Sequence, residues 1–232
     1  MKKSFLICLL LAGSQSAFAF NFHELSVYGY DTADPHEAEF ENSSSVSSND
    51  IMRSSFELNY GLTDKIELGG YLDYQKSDTA KMNLDSVRLR ARTSLYKRGE
   101  MPVDMGLYVE TEIPQDSDES YTVDTKLILQ KEIGRWTYVL SPGLEYVKLK
   151  EANENGNTSE IEKHYNAMIM YNYSDRIKPH VDIFGEVNDD PTRLLMLGLD
   201  FTVRHGFNIA AGVGTTNRSE NLILTKLEFE VY

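Results

Sequence analysis

From Val87 to Thr93 the chain alternates without a break: Val87, Leu89, Ala91 and Thr93 fall on one side of an extended strand, and Arg88, Arg90 and Arg92 fall on the other. After a short connection, Met105 to Ile113 repeats the pattern, with Leu107, Val109 and Ile113 on one face and Tyr108, Glu110 and Glu112 on the other. A period of two is the signature of a β-strand with chemically distinct faces. The same alternation, bounded by turn-forming residues, predicts strands over 23–31, 51–60, 66–75, 85–96, 103–113, 121–133, 136–147, 163–173, 179–187, 192–203, 207–215 and 221–231.

These twelve segments predict an all-β chain: an antiparallel transmembrane β-barrel of about twelve strands. Gly61 to Lys65, Lys97 to Pro102, Gly134-Arg135, Ser174 to Lys178 and Arg204 to Gly206 are short connections, and those between them are mostly longer. Bacterial barrels keep short turns on the periplasmic side and longer loops outside, which requires an even strand number when both termini are periplasmic. Residues 35–48 hint at a further strand through Ala38 and Phe40. Thirteen strands would leave the first and last parallel, so this segment is expected to be a long outer loop or a strand extension. The competing arrangement puts 23–31 outside the barrel wall and makes 36–46 the first strand.

The start of the chain decides which face meets lipid. Met1-Lys2-Lys3, an apolar core from Phe5 to Ala12 and the small-x-small site Ala17-Phe18-Ala19 predict an export signal over 1–19 and a mature barrel over 20–232, beginning at Phe20. No run approaches the roughly 20 apolar residues that a membrane-spanning helix needs. The only cysteine, Cys8, lies in the signal core, so the mature chain is expected to form no disulfide. In a barrel, arginines on the lipid face would each cost about 2–4 kcal/mol near the midplane, so the charged rows belong inside.

Charge excludes one partner class. The chain holds 36 acidic and 23 basic residues, and losing Lys2 and Lys3 leaves 36 against 21, a formal charge of −15. Nucleic acid is therefore not an expected partner, because phosphate binding needs a basic surface. The acids concentrate in the inferred outer loops, at Asp31, Asp34, Glu37, Glu39, Glu41, Asp116, Asp118, Glu119, Glu151, Glu154, Glu160, Asp189 and Asp190. The short turns instead hold Lys65, Lys97, Arg98, Arg135, Arg176, Lys178 and Arg204. Solvated rim loops explain this bias more simply than cation bridging does.

Two luminal constellations follow from the strand phases. Centring the turn between Arg98 and Pro102 gives paired residues numbers that sum to about 200, placing Arg88 opposite Glu112, Arg90 opposite Glu110 and Tyr108 beside Arg92. On the other flank, Glu67, Tyr71 and Asp73 point inward. The resulting charge ladder comprises Arg88, Arg90, Arg92, Glu110, Glu112, Glu67 and Asp73; it either forms an electrostatic constriction or neutralises and fills the lumen. The second is an apolar patch of Met168, Met170, Phe184, Leu194 and Met196, either a soft contact for a hydrophobic or aromatic solute or simple filler. Outside, Tyr60, Tyr74, Trp136, Tyr138, Tyr146, Tyr165, Tyr173 and Phe207 near strand ends fit interfacial aromatic girdles.

Catalysis is not expected, and neither a metal nor a cofactor is. His23, His36, His164, His180 and His205 are scattered with no metal spacing and no serine nucleophile beside them. The one acid/base set, Asp34-Pro35-His36 meeting Asp189-Asp190 at the outer rim, is of a kind that acidic loops produce readily.

The run Phe56-Glu57-Leu58-Asn59-Tyr60-Gly61-Leu62-Thr63-Asp64-Lys65-Ile66-Glu67-Leu68, together with His23 to Tyr30 and the arginine hairpin, resembles outer-membrane barrels of the phenol-degradation (MetA-pathway) transporter type. That resemblance implies export or uptake of aromatic compounds and defines no functional residues. Tyr232 departs from the usual terminal aromatic, because Ile223, Leu227, Phe229 and Val231 form the apolar phase and Tyr232 falls in register with Lys226, Glu228 and Glu230. The expected function is a passive outer-membrane channel or transporter for small solutes, aromatic ones included, with lipid as its surroundings and its oligomeric state open. The alternatives are a non-conducting structural or surface-interaction barrel, and a soluble periplasmic β-sandwich.

Overall fold

The computed structural model describes residues 27–49, 51–77, 81–116, 120–149, 156–188 and 191–231. The expected signal over 1–19, the mature start at Phe20 and the terminal Tyr232 lie outside the described residues. Twelve strands run in order: β1 Ala38–Ser47, β2 Ile51–Gly61, β3 Ile66–Ser77, β4 Asn83–Ser94, β5 Asp104–Pro114, β6 Tyr121–Ile133, β7 Trp136–Lys148, β8 Ser159–Tyr171, β9 Ile177–Glu186, β10 Arg193–Arg204, β11 Phe207–Thr216 and β12 Asn221–Val231. Each pairs antiparallel with its sequence neighbours, and β1 closes on β12 from Ala38↔Val231 to Ser47↔Leu222. Closure leaves no free edge, the condition for a sheet to sit in hydrocarbon.

The first strand corrects the sequence expectation. The strand is 38–47, and the described part of 23–31 lies outside the barrel wall. The serines of β1 read as loop composition, yet Ser43, Ser45 and Ser47 alternate with Ser44 and Val46, and the strand pairs with β2 and β12 along its length. Facing a polar lumen, a serine row costs nothing that a leucine row would avoid.

The correction redraws the charge map. Both chain ends of the barrel lie with the turns 62–65, 95–103, 134–135, 172–176 and 205–206, and the opposite strand ends, 47 and 51, 77 and 83, 114 and 121, 148 and 159, 186 and 193, and 216 and 221, form the far, loop end. Asp34 and Glu37 therefore sit at the turn end, while Glu39 and Glu41 belong to β1, so none of them joins an acidic outer loop. Asp116 and Glu160 do lie near the loop end; 118, 119, 151, 154, 189 and 190 fall outside the described residues. Asp34 and His36 sit at the turn end, and Asp189 and Asp190, the other half of the expected acid/base set, lie outside the described residues. The tightest turn, Gly134-Arg135, has Gly134 at φ 63°, the left-handed backbone that two-residue hairpins require.

The outer wall is an apolar belt, with Leu58, Leu72, Leu89, Val109, Leu144 and Leu197 exposed along it. Aromatic side chains cluster toward strand ends: Tyr60, Trp136, Tyr138, Tyr146 and Tyr173 are exposed, and Phe207 stacks on Phe229 at 4.5 Å between centroids. One polar island interrupts the belt at mid-strand. There Asn42 Nδ2 donates to Ser54 Oγ at 3.2 Å and to the Ser55 carbonyl at 3.1 Å, and the Ser44 and Ser54 hydroxyls are 3.1 Å apart. These groups satisfy one another, as lipid surroundings demand.

Candidate functional site: the barrel lumen

The arginine row on β4 forms the densest part of the lumen. Arg88 is paired in register with Glu112, Arg90 with Glu110 and Arg92 with Tyr108. The ion pairs of Arg88 and Arg90, however, run diagonally. Arg88 Nε meets Asp73 at 2.6 Å and its Nη1 meets Glu110 at 3.1 Å; Arg90 Nη2 meets both Glu67 and Glu57 at 2.7 Å; Arg92 Nη2 meets Glu67 at 2.6 Å. Glu112, directly opposite Arg88, is only half-buried and lies nearer the loop end. Twist and long side chains carry the Arg88 and Arg90 guanidiniums past their direct partners to carboxylates further along the wall, whereas Arg92 meets its register partner on β3, Glu67.

Gly69 explains how Arg90 reaches β2. It is the register partner of both Arg90 and Asn59, so the three lie in one row across β4, β3 and β2. A Cβ on Gly69 would meet Asn59 Oδ1 at 2.5 Å and Arg90 Nε at 3.1 Å. The bare backbone lets the guanidinium lie over β3, where Nη2 also donates to Asn59 Oδ1 at 2.5 Å. Glu57 and Asn59 are thus ladder members that pairwise strand reasoning missed, since they sit two strands from the arginines. An inward-facing glycine between them is the signal that could have found them.

Tyrosines fill the space between the guanidiniums. Arg88 Cζ lies 4.1 Å from the Tyr71 ring centroid, and Arg90 Cζ lies 4.4 Å from Tyr28 and 5.8 Å from Tyr108. Tyr28 stacks on Tyr108 with centroids 5.4 Å apart and planes 28° apart, and its hydroxyl lies 2.7 Å from that of Tyr71. Tyr28 does not belong to the wall. Residues 27–34 run through the lumen from the turn-end rim, an element the sequence pattern presented as the first strand.

That segment is tied down along its length. The Ala33 N–H donates to Glu67 Oε2 at 2.8 Å and the Tyr30 N–H to Gln130 Oε1 at 2.8 Å. The Tyr30 hydroxyl donates to the Tyr96 carbonyl, and Asp31 pairs with Arg98 at the rim. Gly61 permits the close approach of the chain, because a Cβ there would collide with the backbone of Ala33 and Asp34.

The expected apolar patch does face inward, but it is packed rather than open. Phe184, Leu194 and Met196 cluster with Leu222 and Leu224, while Met168 joins Tyr108, Ile128 and Val139; Val27 packs against both groups and Met170 against the second. Leu222, Leu224, Ile128 and Val139 are further members contributed by strands whose inward phase is mostly polar. Below them, toward the turn end, lies a chamber of about 420 Å³ bounded by Val27, Met168, Met196, His180, Asp182 and Lys226 among others. Among the described residues no group of three or more His, Cys, Asp or Glu side chains is arranged to hold a metal ion.

A closed antiparallel barrel with an apolar exterior and a charged interior has the fold of the outer-membrane barrels. The solved structures it is similar to are of that kind. The COG4313 outer membrane channel from Pseudomonas putida F1 superposes with a TM-score of 0.63 at 11% identity, over 90% of this chain and 100% of that one. The NanC porin gives 0.62 at 9% identity, over 82% and 98%. A KdgM porin in complex with disordered oligogalacturonate gives 0.61 at 8%, over 84% and 99%. No family model matches the chain, and no curated protein matches its sequence.

Proposed function

We propose that this protein is a passive outer-membrane channel for small solutes whose lumen is held closed by residues 27–34. The observation that carries this reading is the chamber below the apolar clusters, which reaches Arg98 and Asn172 at the turn end and is bounded by Val27 of the luminal segment. A barrel built only for structure needs no such space. The turn end, with both ends of the barrel chain, faces the periplasm, following the general arrangement of bacterial barrels.

The solute class is not that of a polyanion porin. The similar KdgM structure was solved with oligogalacturonate, a chain of carboxylates. Here the three ladder arginines face four carboxylates, Asp73, Glu57, Glu67 and Glu110, so no free basic track is left along β4. A methionine-lined chamber suits a small solute with an apolar or aromatic body, the class implied by the resemblance to phenol-degradation transporters.

The non-conducting alternative is favoured by the packed clusters around Phe184 and Tyr108. Planar-bilayer recording separates the two readings. The intact mature chain should give rare or small openings, and a chain lacking residues 20–33 should give frequent, larger ones. Silence in both, with the protein shown to be folded by heat-modifiable gel mobility, would establish the non-conducting barrel.

A further inference from the structure

We infer that the chamber is a binding site for a small organic cation: an ammonium group held by Asp182 and Asp200, with its apolar body against Met168, Met170 and Met196. Asp182 lies on β9 directly between Met168 of β8 and Met196 of β10. Its side chain is 4% exposed and lines the chamber. Its Oδ2 lies 3.3 Å from His180 Nε2, but Oδ1 is buried and has no hydrogen-bond partner among the described residues. A buried carboxylate oxygen without a donor is costly, and because the Asp182 side chain borders the chamber, a donor entering there with a small shift of the carboxylate would relieve that cost.

The surroundings select the charge of that donor. His180 sits between two acids, with its Nδ1 3.7 Å from Asp200. Its imidazole lies over Gly198, where a Cβ would collide with the ring, so the glycine makes room for this arrangement. Whether His180 is neutral or protonated, one imidazole cannot balance two carboxylates, and the group stays anionic. The nearby Lys226 does not compensate, because its ammonium is already held by Glu41 at 2.5 Å and Glu228 at 3.4 Å. Lys178, the register partner of Asp200, also borders the chamber, but Glu41 and Glu228 exceed Lys226 by one charge, so Asp182, Asp200, Glu41 and Glu228 together still outweigh Lys178, Lys226 and His180.

The apolar half argues against a bare inorganic ion. Met168, Met170 and Met196 border the same space as the two acids, and no metal-ligating trio is present among the described residues. Thioether side chains adapt to irregular apolar shapes and contact aromatic edges favourably. The volume, about 420 Å³, falls in the range of small-ligand pockets. An arylalkylamine matches both halves: one positive donor and one compact apolar body.

This assignment deepens the channel reading, and it is tested without conduction. Purified mature protein in detergent is titrated calorimetrically with phenethylammonium, with neutral 2-phenylethanol and with anionic 3-phenylpropionate. The amine should bind at least about ten-fold more tightly than the alcohol, the worth of one charge-assisted hydrogen bond, and the acid should not bind. Asp182→Asn and Asp200→Asn should each lower amine affinity by about ten-fold and leave the alcohol unchanged. Equal binding of amine and alcohol, binding of the acid, or no binding of any probe to folded wild-type protein would overturn the site. Wild-type selectivity alone decides the matter if a variant fails to fold. Bilayer recordings of the shortened chain report separately on the channel, so either reading can fail while the other stands.

Discussion

The backbone N–H of Ala33 donates to the same Glu67 side chain that holds Arg90 and Arg92, joining the luminal segment to the charge ladder through one carboxylate. Glu67 is fully buried, and so is the charge it balances. Removing one member of a buried ion-pair network costs about 3–5 kcal/mol, because the partners stay behind without compensation. Glu67→Gln should therefore lower the midpoint of urea unfolding, followed by heat-modifiable mobility, and should raise the frequency of channel openings. An unchanged midpoint would show that Arg90 and Arg92 are satisfied without it.

Gly69→Ala tests the row from Asn59 to Arg90. The added methyl would press on Asn59 Oδ1 and the Arg90 guanidinium and push Arg90 away from Glu57. Overpacking of this kind costs about 1–3 kcal/mol. Gly70→Ala is the control, since its Cβ would find only ordinary contacts, with Leu89 Cδ2 at 3.8 Å as the nearest. Equal loss from the two substitutions would refute the special role of Gly69.

The contrast between these glycines shows where sequence reading stops. Alternation places Arg88, Arg90 and Arg92 on one face, and turn centring sets their register against β5, because both depend only on neighbouring strands. Glu57 and Asn59 are two strands away, so their contact with Arg90 depends on side-chain length and on the missing Cβ at Gly69, neither of which a period-two pattern encodes. Residues 27–31 fail for another reason. Val27, Tyr28 and Tyr30 look like strand residues because they are apolar and aromatic, but they bury those groups inside the barrel. The serines of β1 look like a loop because inward-facing positions of a barrel need not be apolar. A soluble-protein intuition about which strands are real inverts in a lumen.

A cysteine reporter follows the luminal segment directly. The chain's only cysteine is Cys8, inside the expected export signal, so Val27→Cys would carry the single thiol of the mature protein. Val27 packs against the clusters around Phe184 and Met168. A membrane-impermeant maleimide should modify it slowly in folded protein and faster when Glu67→Gln is added. Fast labelling of the single variant would place residue 27 outside the packed lumen.

Leu89 probes the assignment of faces. It lies mid-strand on β4 between the buried Arg88 and Arg90 and is 54% exposed on the outer wall. An arginine facing the bilayer midplane costs about 2–4 kcal/mol, whereas alanine there forfeits only apolar contact with lipid. Leu89→Arg should strongly reduce folding into lipid vesicles and Leu89→Ala should not. Comparable yields would mean that this wall does not face hydrocarbon.

Charge selectivity follows from the composition of the ladder. Three guanidiniums paired with four carboxylates leave one excess negative charge on the β2–β5 side of the lumen, and Asp182 and Asp200 add to it on the opposite wall. Narrow, low-dielectric passages amplify such an excess, so the chain lacking residues 20–33 should show a reversal potential on the cation-selective side in a salt gradient. Replacing Glu57 and Glu110 by glutamine together frees Arg88 and Arg90 of one partner each, which leaves three guanidiniums facing two carboxylates. The reversal potential should then move toward anion selectivity. If it does not move, ions pass the barrel without sensing the ladder, and the arginines of β4 serve only to fill it.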